Sequence, residues 1–246
     1  MVRLYQDSDT FVPGQSRDES AVVVSPMLQT APMDRIDLAV ERLHSHLPLR
    51  ARQQALPAGH AAVHRAILLW FAEHHRPPAA ADLPGPDIET VLDRLAADDL
   101  IVRSGREVVG AYPFTLEPTG HRVRIGSHRL HAMCSLDAVA IAPVFGLTVD
   151  IESECAMTGT PVTIRQRGSD VLEVRPVDLM LGVRWSDPTG CAAHSMCRDM
   201  VFLAGETTAL EWRGDPDAAG VYTLTEGVEF GARFFGPLLV VPQSPS

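Results

Sequence analysis

The 246-residue chain predicts an α+β fold: an N-terminal three-helix, winged-helix-like unit followed by a mostly antiparallel β-sheet domain with flanking helices. Three observations carry this expectation. Apolar residues recur at helical spacing in three proline-bounded segments before residue 99. From Tyr112 onward the pattern changes to short β-prone runs separated by turn residues. An apolar content of 46% with 21% charged residues supplies a globular core. The expected division is a flexible tail over 1–32, a helical unit over 33–111 and an α+β domain over 112–241.

Residues 1–32 are rich in Asp, Ser, Pro and Gln and show no sustained period. The first helix is expected over Asp34–Leu47, with Asp34 as N-cap and Ile36, Val40, Leu43 and Leu47 on one face, and Pro48 stopping it. A second spans Ala61–His75, with Val63, Ile67, Leu68 and Phe71 inward, ended by Pro77 and Pro78. A third runs from Asp87 to Asp98 on Ile88, Val91, Leu92 and Leu95. Leu100–Val102 and Glu107–Ala111 then form a hairpin turning at Ser104-Gly105.

Beyond it, strands are expected at Tyr112–Leu116, Val123–Ile125, Arg129–Ala132, Leu147–Ser153, Val162–Arg167, Leu172–Pro176 and Leu181–Trp185. A helix is expected to begin near Cys134 and run to Ala142, and another to span Thr225–Phe235. Met196–Ala204 suits strand or helix, and Glu206–Trp212 is left open.

Helix, turn, helix and hairpin raise DNA binding as a possibility. The would-be recognition helix carries Asp87, Glu89, Asp93, Asp98 and Asp99 against a single Arg94, a face that repels phosphates. With a net charge of -10, no nucleic-acid partner is expected. No secretory signal is expected, because the first residues are acidic rather than basic and no apolar stretch follows them, and the longest apolar run, Ala138–Val149, is broken by Pro143 and Gly146. A membrane helix needs about 20 apolar residues, so no membrane association and a cytoplasmic location are expected. The four cysteines are then reduced thiols.

No GxGxxG, P-loop, GxSxG or HExxH motif is present, which leaves the cysteines and their neighbours as candidates. Cys134 and Asp137 stand three apart, so a helix starting between them puts both on nearly one face, where thiol and carboxylate can exchange a proton. Taken alone, the pair reads more simply as a packed cysteine and a helix cap. Cys155 sits at a strand-to-turn corner before Thr158-Gly159-Thr160-Pro161. Cys191, His194 and Cys197 form C-x2-H-x2-C, soft-ligand spacing that lacks a fourth ligand for a structural zinc unless Cys134 or Cys155 folds nearby. His44, His46, His74 and His75 lie on helices or their ends and are expected to be solvated.

Three separated segments together carry more information than any one. They are Leu130–Asp137 running into Ile141-Ala142-Pro143, Ser153–Val162, and Met196–Ala204, with weaker support from Val228-Glu229-Phe230-Gly231. In order, spacing and residue type the chain resembles the organomercurial (alkylmercury) lyases from about Ala61 to Leu238. The resemblance implies that Cys134 and Cys197 are the two catalytic cysteines, Asp137 the catalytic aspartate and Cys155 a structural cysteine. It implies an enzyme without a cofactor that cleaves carbon–mercury bonds, with small thiols or a mercuric reductase accepting Hg(II) from Cys134 and Cys197, where Asp137 is a possible further ligand. The chain departs from the pattern at Met133, where an aromatic residue is common, and at Arg198, where another cysteine can stand; Cys191 has no counterpart.

The chemistry explains the set. Mercury is soft and binds thiolate avidly. Two thiolates raise electron density on mercury and its attached carbon, which then takes a proton and leaves as hydrocarbon. Two thiols and one proton carrier are the minimum. Asp137 suits the carrier if burial beside Ala138–Pro143 lifts its pKa above the usual ~3.9. The helix N-terminus after Cys134 is expected to lower the thiol pKa from about 8.5. Cys197 lies 63 residues from Cys134, so the fold must bring the two together. The competing readings are a non-enzymatic soft-metal binding or sensing protein using Cys134, Cys191, His194 and Cys197, and a scaffold relative with another substrate.

Overall fold

The computed structural model describes residues 33–240; the tail expected over 1–32 lies outside them. Four α-helices rather than three precede the first hairpin: α1 (Arg35–His46), α2 (Leu49–Gln54), α3 (Ala58–His74) and α4 (Ile88–Ala97). Asp34 caps α1 by accepting from the Asp37 N–H at 2.7 Å. The extra helix is α2. Pro48 ends α1 as expected, but a proline also suits a helix start, and Leu49 and Gln53 are buried. The end-of-helix histidines are half-buried rather than solvated. His44 lies on Phe234 at 4.7 Å and His74 stacks on Trp70 at 3.9 Å.

The strands are β1 (Ile101–Ser104), β2 (Glu107–Ala111), β3 (Phe114–Thr115), β4 (Arg122–Ile125) and β5 (His128–Ala132), followed by helix α5 (Ser135–Phe145). Then come β6 (Thr148–Glu154), β7 (Pro161–Arg167), β8 (Asp170–Arg175) and β9 (Leu179–Arg184). Two 3-10 turns, Ala192–His194 and Met196–Asp199, lead into β10 (Met200–Ala204), α6 (Glu206–Arg213), β11 (Ala219–Thr223) and α7 (Leu224–Phe235). Glu206–Trp212 is therefore helical. Glu, Ala, Leu and Arg favour helix, and buried Ala209 docks it. The short strand β11 carries Gly220 and gives little β signal in the sequence.

Strands β1 to β8 form one antiparallel sheet in the order β1-β2-β3-β5-β4-β6-β7-β8, so the boundary expected at 111/112 runs through this sheet. A second antiparallel sheet has the order β10-β9-β11. Alternation along β6 and β7 buries one face and exposes the other. A parallel bridge from Cys155 to Phe202 joins the two sheets. No helix among the described residues is long and apolar enough to cross a membrane.

Helix α5 occupies the centre. Every residue from Ser135 to Ala142 is buried, and the helix packs against β5, β6 and β7 and against α7 and β10. A helix apolar on all sides belongs inside. Its contact with α7 is close because Gly231 faces Ala140; a Cβ on Gly231 would stand 2.8 Å from the Ala140 Cβ. Pro143 lies within α5 and cannot donate to the Val139 carbonyl. Buried Gln166 of β7 donates to that carbonyl at 3.0 Å, so the proline leaves no orphaned acceptor.

Candidate active site

The chain leaves β5 through Met133 and enters α5 with Cys134 as its N-cap, in extended backbone conformation. The Cys134 sulfur accepts from the Asp137 N–H at 3.4 Å. The Asp137 carboxylate answers from the first turn: its Oδ2 accepts from the Cys134 thiol at 2.7 Å. The Cys134 thiol thus accepts from the Asp137 backbone and donates to the Asp137 carboxylate, which holds the two side chains together at the helix start. The expected strand-to-helix corner at Cys134 is therefore present, with both side chains turned inward.

Cys197 arrives from a different element, the 3-10 turn before β10. Its sulfur stands 4.0 Å from Asp137 Oδ2. Ligating atoms of Cys134, Asp137 and Cys197 lie within 4.8 Å of one another, and among the described residues they form a group able to hold a metal ion. All three are buried, at 0%, 1% and 2% exposure respectively. Neither the second carboxylate oxygen of Asp137 nor the Ser135 hydroxyl has a hydrogen-bond partner among the described residues. Unpaired polar atoms are costly in a buried site.

Burial dominates the electrostatics. It lifts the Asp137 carboxyl from 3.8 to about 7, against the lowering pull of the Cys134 thiol and backbone N–H. It also drives the Cys134 thiol well above its ordinary value, helped by hydrogen bonding with Cys197 and the charge of Asp137. The expected lowering of Cys134 by the helix N-terminus does not prevail, because desolvation of the thiolate exceeds what the helix dipole returns. For Cys197, the hydrogen bond with Cys134 favours thiolate, but burial and the charges of Asp137 and Asp99 outweigh it and leave the pKa raised.

A pocket of about 300 Å³ opens beside this cluster, lined among others by Glu117, His121, Met133, His194, Cys197 and Arg198. Cys197 forms part of its wall, and Cys134 and Asp137 do not line it. His194 pairs with Glu117, Nε2 to Oε2, at 2.6 Å. Cys191 is half-buried, with its thiol pushed up to about 11 by burial and by Asp99. Cys191 and His194 do not join the metal-competent group, so the C-x2-H-x2-C spacing is split: Cys197 turns inward to Cys134 and the other two do not. Cys155 lies at the joint between the sheets, where its sulfur accepts from the Ala204 N–H at 3.2 Å.

Two features of the site carry no sequence signal. The Met200 thioether sulfur stands 3.5 Å from the Cys134 sulfur. Tyr112 and Asp99 hold the backbone ahead of Cys197: the Tyr112 hydroxyl accepts from the Ala193 N–H at 3.0 Å and donates to Asp99 at 3.2 Å. Asp99 also accepts from the Ala192 N–H at 3.1 Å.

The MerB alkylmercury lyase family model matches residues 114–236. The chain is similar to the alkylmercury lyase of Staphylococcus epidermidis, 28% identical over 172 residues covering 68% of this chain and 78% of that protein. It is 26% identical to that of Bacillus cereus over 148 residues, 60% of this chain and 66% of the relative. Among solved structures, the mercury-bound form of MerB2 superposes with a TM-score of 0.66 at 20% identity, covering 78% of this chain and 98% of that one.

Proposed function

The chain belongs to the alkylmercury lyase family, and from that premise we propose that it cleaves the carbon–mercury bond of organomercurials by protonolysis at Cys134, Asp137 and Cys197. The observation that carries this reading is a carboxyl raised to about 7 within hydrogen-bond distance of one thiol and 4.0 Å from a second.

The pocket-wall thiol, Cys197, meets R–Hg–X first; its sulfur bonds mercury, and X leaves with the thiol proton. Cys134 then gives its proton to Asp137 across the 2.7 Å hydrogen bond and adds to mercury as thiolate. Asp137 delivers that proton to the carbon. The carbon–mercury bond breaks, RH departs and Hg(II) stays on two sulfurs. One thiol proton ends in RH and the other in HX, so the balance closes without a redox step or a cofactor. A carboxyl near 7 is suited to both halves, since at neutral pH it accepts and donates with little bias.

Small thiols or a mercuric reductase serve as the Hg(II) acceptor through the pocket at Cys197. Cys155, hydrogen-bonded between the sheets, has a structural role. A purely metal-holding protein would need no proton carrier, and the raised Asp137 favours the lyase over that alternative.

The test is single-turnover reaction of purified protein with phenylmercury and excess small thiol, reading benzene and Hg(II). Wild type is expected to release both in equal amounts. Cys134→Ser and Cys197→Ser abolish release, and Asp137→Ala slows it by about 10²–10⁴-fold, the usual worth of a positioned proton carrier. Absence of benzene with wild type defeats the activity; full rate in Asp137→Ala defeats the mechanism.

A further inference from the structure

We propose that Met200 is a third sulfur ligand to Hg(II) in this protein, its thioether closing on mercury held by Cys134 and Cys197. The inference rests on the proposed mercury site and adds to it a neutral ligand.

Met200 opens β10 three residues after Cys197 and is 2% exposed. Its N–H donates to the Cys197 carbonyl, and its backbone is paired to Val183 of β9, so both ends of the Cys197–Met200 segment are fixed. The side chain reaches the Cys134 sulfur at 3.5 Å. Two sulfurs on one tetrahedral metal, at bonds of about 2.3 Å as for zinc, stand roughly 3.8 Å apart. The Cys134–Met200 spacing is within a few tenths of an ångström of that. Mercury is larger, and an unbranched thioether on three rotatable bonds accommodates the difference.

Charge selects this ligand type. Hg(II) on two thiolates is neutral. A third thiolate would leave the bound ion with a net negative charge in a fully buried site, which burial disfavours. A thioether adds a soft donor without charge. Leucine would fill the same volume but offer mercury nothing. Met200 therefore retains Hg(II) after the hydrocarbon has left and sets how readily an incoming thiol removes it.

The experiment uses the full chain with selenomethionine in place of methionine, loaded with one equivalent of mercuric chloride alone, and reads X-ray absorption at the mercury edge. This loading needs no lyase turnover, so its outcome is separate from that of the activity assay. A mercury–selenium shell in labelled wild type, lost in labelled Met200→Leu, is the expected result. Alongside it, transfer of bound Hg(II) to excess small thiol should be several-fold faster in Met200→Leu and near the wild-type rate in Met196→Leu, which keeps Met200. No selenium shell in wild type, or a shell that persists in Met200→Leu, overturns the proposal. If Met200→Leu fails to fold, Met200→Ile takes its place with the same readouts.

Discussion

Replacing Asp137 with asparagine separates what the carboxyl does for chemistry from what it costs the fold. In the folded protein its pKa is raised from 3.8 to about 7. Between those values the folded state holds a proton that the unfolded state has lost, so stability falls as pH rises through that window and levels off above it. A rise of that size is worth roughly 4 kcal/mol at 1.36 kcal/mol per tenfold change in ionisation, and relaxation around a buried charge reduces it to on the order of 2–4 kcal/mol. Histidines lowered by burial act in the opposite sense, His44 and His75 among them. Burial lowers His64 and His121 to about 4, so each stays neutral when folded, and stability from them rises with pH between about 4 and 6.5. The wild-type curve is thus a sum of opposing slopes, and only the difference between variant and wild type isolates Asp137. The amide side chain of Asp137→Asn fills the same space, keeps an acceptor for the Cys134 thiol and has no charge to desolvate. Urea unfolding of both proteins under reducing conditions, from about pH 5 to pH 8, should show the variant's advantage growing by about 2 kcal/mol. A pH-independent difference would refute the raised carboxyl and remove the physical basis for a carboxyl that both takes and gives a proton.

Two further substitutions probe the helix that carries the site. Gln166→Leu strips the Val139 carbonyl of its donor beneath Pro143, and should lower unfolding free energy by about 1–3 kcal/mol in a denaturant titration. Gly231→Val forces side-chain atoms into the Ala140 contact and should cost about 1–3 kcal/mol by overpacking, with single-turnover hydrocarbon release slowed because α5 shifts with Asp137 on it. Unchanged stability in either would mean that α5 is seated by other contacts.

Much of the fold was legible because its elements follow simple periods. The alternation in Val162–Arg167 emerges as β7 with one buried face, and the 3.6-residue stripe of Asp34–Leu47 emerges as α1. Short or mixed segments were not. Leu49–Gln54 is too brief to show a period, and Ala219–Thr223 becomes a strand only because β9 offers it an edge. At the site, the spacing of Cys134 and Asp137 foretells a shared helix start, because three residues is a local distance. The meeting with Cys197 is reached from resemblance, since no local rule links residues 63 apart. The sign of the Cys134 shift runs against expectation for a physical reason. The helix terminus is visible in sequence, but complete burial, which overrides it, is a property of the packed fold.

The helices upstream of the family match also reach the site. The match begins at residue 114, yet Asp99 at the end of the helical segment and Tyr112 after β2 hold the Ala192–Ala193 backbone, five and four residues before Cys197. Asp99 takes three donors, from Ala192, Tyr112 and Arg52, the last at 3.3 Å. Tyr112→Phe removes the acceptor of the Ala193 N–H and one donor to Asp99 while preserving the ring, so its cost is that of unpaired polar groups, about 1–3 kcal/mol. If the network only stabilises the fold, turnover per folded molecule stays at the wild-type value. If it sets the turn that presents Cys197, the thiol becomes more accessible and less well aimed at Asp137. We expect the second outcome: faster alkylation of Cys197 by a small electrophile, followed by peptide mass spectrometry, together with slower single-turnover release of hydrocarbon. Loss of stability with both rates unchanged would confine Tyr112 and Asp99 to packing.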